Sequence, residues 1–344
     1  MKKHMKTPSP KQAIAPGKLI LSGEHAVVYG NPALVMAINR YVTTTVQSQT
    51  EPQITFYSSD LTVERSLTFT ALMQLQDRIR QNYQRFLQGD LAIREVLREP
   101  IELVQFAVSL LLEAGNAQVF RGIRVAIQTD LLIGCGMGSS AATVVSLLTA
   151  LAGYLQVTIA PDLFFNLAYQ VENIQHGKSS GLDLQSSLHG GCLYFKEGKA
   201  IARMPSTLSF YLINTGQPHT NTGECVAAAA TYFKNTQIGH DFTAVTDAMD
   251  KALQANRLDE VILTMRENHK LLNTIGVVPQ KVQQLIAEIE QQGGAAKISG
   301  AGAVKGDNAG IVLIAMEDEQ ALQKWAERYQ QAIIPIQCEA RGVC

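Results

Sequence analysis

The sequence predicts an α+β protein of two domains, and three observations predict it. The chain has 344 residues; at roughly 150 residues per domain that length suits two domains and is ample for a sizeable core. Strand-like runs are neighbours early in the chain, which fits a mixed or antiparallel sheet better than a doubly wound parallel one. The second half alternates strands with helices, and the polar, turn-like stretch from Lys196 to Pro205 marks the boundary, giving domains 12–200 and 201–344.

Taken in order, Ile14-Ala15-Pro16-Gly17 reads as a turn. Lys18-Leu19-Ile20-Leu21 is a short strand, and Ser22-Gly23-Glu24-His25 interrupts it before Ala26-Val27-Val28-Tyr29 resumes the apolar character. After the turn at Gly30-Asn31-Pro32, β-branched and aromatic residues predict strands over Ala33–Ile38, Tyr41–Gln47 and Gln53–Tyr57. Apolar residues recur at helical spacing across Leu72–Leu87 and across Pro100–Glu113, where the proline suits a first turn. Gly122–Thr129 alternates as a strand, a glycine-rich loop follows, and a long apolar helix covers Ser140–Leu155. A helix opens at Pro161 with Asp162 in its first turn, where the macrodipole favours a negative charge, and Cys192–Phe195 is a strand. Beyond the boundary, Ser209–Asn214, Ala296–Ser299, Gly310–Ile314 and Ala332–Cys338 read as strands. Thr222–Lys234, Phe242–Leu253, Leu258–Thr274, Pro279–Gln291 and Asp318–Gln331 read as helices.

Charge narrows the function. The 29 basic and 30 acidic residues leave a net charge of -1, which argues against a nucleic-acid partner. The most apolar stretch, Ala141–Leu155, is broken by Ser146, Thr149 and Gly153 and is too short to span a bilayer. Residues 1–11 lack the apolar run of a secretory signal, so the expected location is the cytoplasm, with no membrane partner. The five cysteines are far apart with no Cys-x-x-Cys pair. That pattern predicts free thiols rather than a disulfide framework or a structural zinc.

The strongest chemical signal is Gly134-Cys135-Gly136-Met137-Gly138-Ser139-Ser140-Ala141-Ala142. Alternate glycines let backbone N–H groups converge on one point, and the helix that follows adds its own N-terminal donors. One hydroxyl could cap that helix while the other meets a phosphate or a metal. No Gly-Lys-Ser/Thr follows, so this is not a Walker A loop and a cation must come from elsewhere. Glu172 and His176 are four apart and can share a helix face, and the turn Ser179-Ser180-Gly181 could return Asp183 to the same cleft. Two such carboxylates suit phosphoryl transfer, one holding Mg²⁺ and the other orienting a hydroxyl or accepting its proton. The plain alternative is a solvated helix residue and a cap. A third glycine-rich stretch, Lys297-Ile298-Ser299-Gly300-Ala301-Gly302-Ala303, is by itself no more than a turn signal.

Together these pieces resemble a known family. Pro16-Gly17-Lys18-Leu19-Ile20-Leu21-Ser22-Gly23-Glu24-His25-Ala26-Val27-Val28-Tyr29-Gly30 is similar to the first motif of the GHMP small-molecule kinases, which include galactokinase, homoserine kinase, mevalonate kinase and phosphomevalonate kinase. Gly134–Ala142 resembles their phosphate loop and Lys297–Ala303 their third motif, in the right order across nearly the whole chain. The resemblance implies a mixed-sheet N-terminal domain, a ferredoxin-like C-terminal domain and a cleft between them. It implies transfer of a phosphoryl group from ATP, with Mg²⁺, to the hydroxyl of a small-molecule substrate, and a possible homodimer. By matching position it implies Asp183 and Lys18 as catalytic residues, Ser139 and Glu172 as Mg²⁺ ligands, and Glu24, His25 and Thr220 at the acceptor, with Thr222 as the alternative to Thr220. It places Gly134, Gly136, Met137, Gly138, Ser139, Ser140, Ala141, Gly300 and Gly302 around the nucleotide. The third motif departs most, continuing Ala303-Val304-Lys305-Gly306-Asp307 where the family usually has further glycines. A related kinase for another alcohol, and a nucleotide-binding regulator without turnover, are the alternatives; intact Lys18, Glu172 and Asp183 count against the second.

Overall fold

A computed structural model of the chain describes residues 9–116, 121–220, 222–234 and 236–344. In chain order the first half contains β1 (Lys11–Ser22), β2 (Ala33–Gln49), β3 (Ile54–Ser58), β4 (Val63–Leu67), α1 (Phe69–Gln88), α2 (Ile101–Ala114), β5 (Gly122–Thr129), α3 (Ser139–Leu155), α4 (Pro161–His176), α5 (Leu182–His189), β6 (Cys192–Lys196) and β7 (Lys199–Arg203). The second half contains β8 (Phe210–Asn214), α6 (Thr222–Phe233), α7 (Thr236–Gln254), α8 (Leu258–Thr274), α9 (Gln280–Gln291), β9 (Ala295–Ser299), β10 (Ile311–Ala315), α10 (Glu319–Tyr329) and β11 (Ile334–Ile336).

β1 to β7 form one seven-stranded sheet, in the order β4-β3-β5-β2-β6-β7 with β1 also on β2. All its pairings are antiparallel except β3 with β5, so it is the mixed sheet expected. The other four strands form an antiparallel sheet in the order β11-β8-β10-β9. Numbered from β8, that order is 4-1-3-2, with helices between the first and second strands and between the third and fourth; this is the ferredoxin-like arrangement. No described helix is long and apolar enough to cross a membrane.

α3 lies against β1 and β2 and is flanked by α2, α4 and α5. Its sequence is apolar nearly all round because it is enclosed nearly all round. Leu147, Leu148 and Leu151 are fully buried, and each stabilises the fold by about 1.5–3 kcal/mol. Ala141 and Ala142, also fully buried, let the first turn of this helix approach β1.

Six local readings differ from the structure. The turn read at Ile14–Gly17 is a register shift between Pro16 and Gly17 inside a twelve-residue strand, because β2 continues to pair on both sides of it. The polar stretch after Lys196 is a hairpin: Lys196 pairs with Lys199 across Glu197 and Gly198, both at positive φ, which is the backbone of a two-residue type I′ turn. β4 went unread because Val63-Glu64-Arg65-Ser66-Leu67 is a polar edge strand with little apolar signal. α5 is too short to show a period and opens on a glycine. α7 also begins earlier than the helix predicted from Phe242, and β11 is shorter than the strand predicted over Ala332–Cys338.

Candidate active site

The glycine loop is shaped by backbone angles that only glycine adopts readily. Gly134, Gly136 and Gly138 have φ of 75°, 92° and 70°. Gly138 is the residue before α3, and no side chain caps this helix. The expected hydroxyl cap is therefore absent: Ser140 Oγ lies 3.3 Å from His176 Nε2 instead. The first backbone bond back onto the helix start is Ala142 N–H to the Gly138 carbonyl, so the N–H groups of the first turn have no partner within the helix. They form an anion-binding end.

Lys18 meets this loop directly. Its backbone N–H donates to the Met137 carbonyl at 2.9 Å. Its side chain passes Gly138 so closely that a Cβ there would lie 2.8 Å from Lys18 Cγ. The ammonium reaches Asp183, with Nζ 3.2 Å from Oδ1; the lysine is 4% exposed and the aspartate 30%. Asp183 is in the first turn of α5. The connection from α4 is held by the Asn173 carboxamide oxygen, which accepts from Ser179 N–H at 2.8 Å, and by the Ser179 and Ser180 hydroxyls, which accept from Gly181 N–H and Leu182 N–H. The turn thus brings Asp183 back beside Glu172.

Glu172 is 1% exposed. Its Oε2 is 3.7 Å from His176 Nε2, and its Oε1 has no hydrogen-bond partner. Burial pushes this carboxyl upward, with Asp183 adding to the shift and His176 opposing it. A buried carboxylate with an orphaned oxygen beside a phosphate cradle is suited to a hard cation. Among the described residues no group of three or more His, Cys, Asp or Glu could hold a metal alone. That fits Mg²⁺, which is bound through one or two protein oxygens and completes its shell with phosphate and water.

The third glycine stretch reaches the same place from the second sheet. A Cβ on Gly136 would lie 2.6 Å from the Ser299 carbonyl, and one on Gly300 would lie 3.2 Å from Gly136 Cα, so the two loops touch backbone to backbone. Glu24 and Lys297 form a fully buried ion pair below them. Lys297 also donates to the carbonyls of Ile20 at 3.1 Å and Ile298 at 2.8 Å. Burial pushes Glu24 up and Lys297 down, each toward its neutral form, while their mutual contact opposes both shifts. His25 has φ of 61°, and its Nε2 lies 3.0 Å from the Ala301 carbonyl. Burial lowers its pKa to about 4, so it is neutral at pH 7.

These residues line one cavity of about 1010 Å³. Lys18, Glu24, His25, Glu172, Asp183 and Thr222 face it, as do Gly134, Gly136, Gly138, Ser139, Ser140 and Gly300. Thr220 does not line it: its hydroxyl accepts from Val304 N–H at 3.2 Å and from the Cys225 thiol, which holds it in the wall. Thr222, the alternative, is the lining threonine. Met137 and Ala141 are buried behind the loop rather than lining it. Gly302 is also behind, where a Cβ would lie 2.2 Å from the Val277 carbonyl. Two features escaped the sequence reading. One is an apolar end of the cavity formed by Leu61, Phe86, Leu103, Val104 and Ile133, whose residues carry no motif. The other is Lys297, whose signal was a single lysine inside the strand Ala295-Ala296-Lys297-Ile298-Ser299.

The chain belongs to the GHMP kinase family. The model of the GHMP kinases N terminal domain matches residues 102–191, and that of the GHMP kinases C terminal matches residues 249–331. Its relatives include the mevalonate kinase of Archaeoglobus fulgidus, 31% identical over 84% of this chain and 88% of the relative. The mevalonate kinase of Pyrococcus horikoshii is 29% identical over 84% of this chain and 85% of its own. In fold the chain is similar to the Methanococcus jannaschii mevalonate kinase, with a TM-score of 0.79 at 24% identity over 97% of this chain and 99% of the other. Lactococcus lactis galactokinase, solved with galactose, shares the fold at a TM-score of 0.73 and 16% identity, over 98% of this chain and 95% of the other.

Proposed function

We propose that this chain transfers the terminal phosphoryl group of ATP to the primary hydroxyl of mevalonate, giving 5-phosphomevalonate and ADP. The observation that carries the chemistry is the Lys18–Asp183 pair set beside the glycine cradle in one cavity. The relatives named mevalonate kinase, matched over most of the chain, support the acceptor.

The nucleotide phosphates would bind the N–H groups of the loop and of the first turn of α3, with the base toward the apolar end of the cavity. Ser139 and Glu172 are the residues that would hold Mg²⁺, which when bound offsets the phosphate charge. Asp183, fixed by Lys18, receives the acceptor hydroxyl, orients it for in-line approach and takes its proton as the new P–O bond forms. Lys18 stabilises negative charge developing between the acceptor oxygen and the phosphoryl group. Neutral His25 and Thr222 bound the acceptor side, and buried Glu24, held by Lys297, fixes the strand from which Lys18 projects. Residues 12–200 and 201–344 are proposed as the two domains, and a homodimer as the assembly.

A coupled assay of ADP release over a panel of small alcohols tests this reading. Turnover is expected with mevalonate and none with phosphomevalonate or sugars. Turnover confined to a phosphorylated or sugar alcohol would reassign the acceptor. Nucleotide binding without transfer to any acceptor would remove the enzymatic reading.

A further inference from the structure

Cys192 and Cys338 are separated by 146 positions, yet their Sγ atoms lie 3.8 Å apart. Neither takes part in the site described above. Cys192 opens β6 opposite Met36 of β2, and Cys338 forms a bridge to Ile38 two residues further along the same strand. The two backbones therefore lie end to end along β2. Ala37 N–H donates to the Gly191 carbonyl at 2.8 Å and Glu339 N–H to the Ala37 carbonyl at 2.9 Å, while Gly191 N–H donates to the Glu339 carbonyl at 2.6 Å. Both cysteines are free; Cys192 is buried and Cys338 half-buried.

Residues 337–344 form a strap. It is bonded to β2 at one end, to α5 through Val343 N–H and the Ser187 carbonyl at 3.0 Å, and to β1 through reciprocal bonds between Ile14 and Cys344 at 2.8 and 3.0 Å. β1 carries Lys18 and α5 carries Asp183. Whatever fixes the strap thus fastens together the two elements that meet in the cavity.

We propose that Cys192 and Cys338 are a dithiol modification site, which a small-molecule disulfide converts to an intramolecular disulfide that staples the strap to β6. A disulfide needs the sulfurs closer by roughly 1.8 Å. Side-chain rotation supplies that approach, since the backbone bonds already hold the two residues adjacent. In the first step the half-buried Cys338 thiolate attacks the small disulfide, forming a mixed disulfide and releasing one thiolate. In the second, the Cys192 thiolate attacks Cys338 Sγ and expels the other. Two protein thiols lose two electrons, the small disulfide gains them, and the two departing thiolates take up the two protons. The hydrogen bond between the two thiols pushes Cys192 down and Cys338 up. Cys338 reacts first because it is the half-buried one, and since that bond is gone in the mixed disulfide, Cys192 resolves it through proximity. None of this depends on the phosphoryl-transfer reading.

The test uses the full chain, reduced and then exposed to glutathione disulfide, with non-reduced peptides mapped by mass spectrometry. The expected product is a peptide linked through Cys192 and Cys338 with no glutathione on either. Cys344 is exposed and takes up glutathione by itself, so thiols are counted in Cys344→Ser, where two of the four remaining thiols should disappear. The melting temperature should rise on cross-linking and return with dithiothreitol. Cys192→Ser should trap glutathione on Cys338. Glutathione retained on Cys338 in the wild-type chain, a cross-link to another cysteine, or a melting temperature unmoved by the 192–338 link would each overturn the proposal. The wild-type map stands even where the serine variant fails to fold.

Discussion

The proposed reactive pair consists of one side chain held almost entirely inside the protein and one left accessible. Lys18 is 4% exposed and Asp183 30%, so the lysine is a fixed charge while the aspartate faces the cavity. Asp183→Asn keeps the shape and removes the charge and the proton acceptor. It should lower kcat by about 10²–10⁴-fold while leaving the KM for ATP nearly unchanged. Steady-state kinetics against both substrates measure this, and wild-type turnover in the variant would disprove the assigned role. Ser139→Ala acts beside this pair, next to Gly138, which packs on the stem of Lys18. It should raise the Mg²⁺ concentration needed for half-maximal rate and weaken binding of a fluorescent ATP analogue, since it removes the hydroxyl proposed as a metal ligand. If metal dependence is unchanged in the variant, Ser139 is not a ligand.

At the scale of elements, the site is a meeting of turns whose glycines serve close approach. Gly138 is the sharpest case: φ is 70°, and an added Cβ would press on the stem of Lys18 at 2.8 Å. Gly138→Ala should therefore cost about 1–2 kcal/mol in stability for its left-handed backbone alone, read from a urea midpoint. It should also cost turnover out of proportion to that loss, because the lysine is displaced. Equal activity per folded molecule would show that the stem has room to yield. This element was legible from sequence because alternate glycines running into an apolar helix have few other uses. The missing cap was not legible, since Ser139 and Ser140 suit a cap as well as they suit a ligand, and only the approach of α4 shows Ser140 near His176. The choice between Thr220 and Thr222 was equally hidden: it rests on which hydroxyl finds Val304 N–H, a residue more than eighty positions away. β4 and α5 escaped because a polar edge strand and an eight-residue helix carry too little periodicity.

For the whole molecule, the two sheets and their helices could be read because long apolar periods survive averaging, whereas the polar contacts that join the sheets, beside the apolar core they share, are long-range. Ser22 Oγ lies 2.7 Å from Thr246 Oγ1 and accepts from the Asn268 carboxamide at 2.8 Å. Lys297 pairs with Glu24 across 273 positions, and His269 is buried in α8 near Lys297. No local pattern announces such a network, but it leaves a measurable pH signature. Burial, aided by the Lys297 charge, lowers the pKa of His269 from 6.5 to about 4. Its Nε2 is bonded to the Asn273 side chain at 3.0 Å and its Nδ1 has no partner. Because the folded-state value is depressed, the unfolded chain binds the proton first as pH falls. The stability from a neutral His269 is complete above pH 6.5 and is lost as pH falls toward 4, by about 2 kcal/mol on reaching pH 5. The raised carboxyls of Glu24 and Glu172 act in the opposite sense, so the whole-protein profile mixes the two and a difference measurement is needed. His269→Asn should be less stable than wild type at pH 7 and should lose about 2 kcal/mol less between pH 7 and pH 5. Urea unfolding of both proteins at the two pH values gives that difference directly. Parallel losses would mean that His269 takes up its proton in the folded protein over the same pH range as in the unfolded chain, and that the polar joint between the sheets tolerates a charge there.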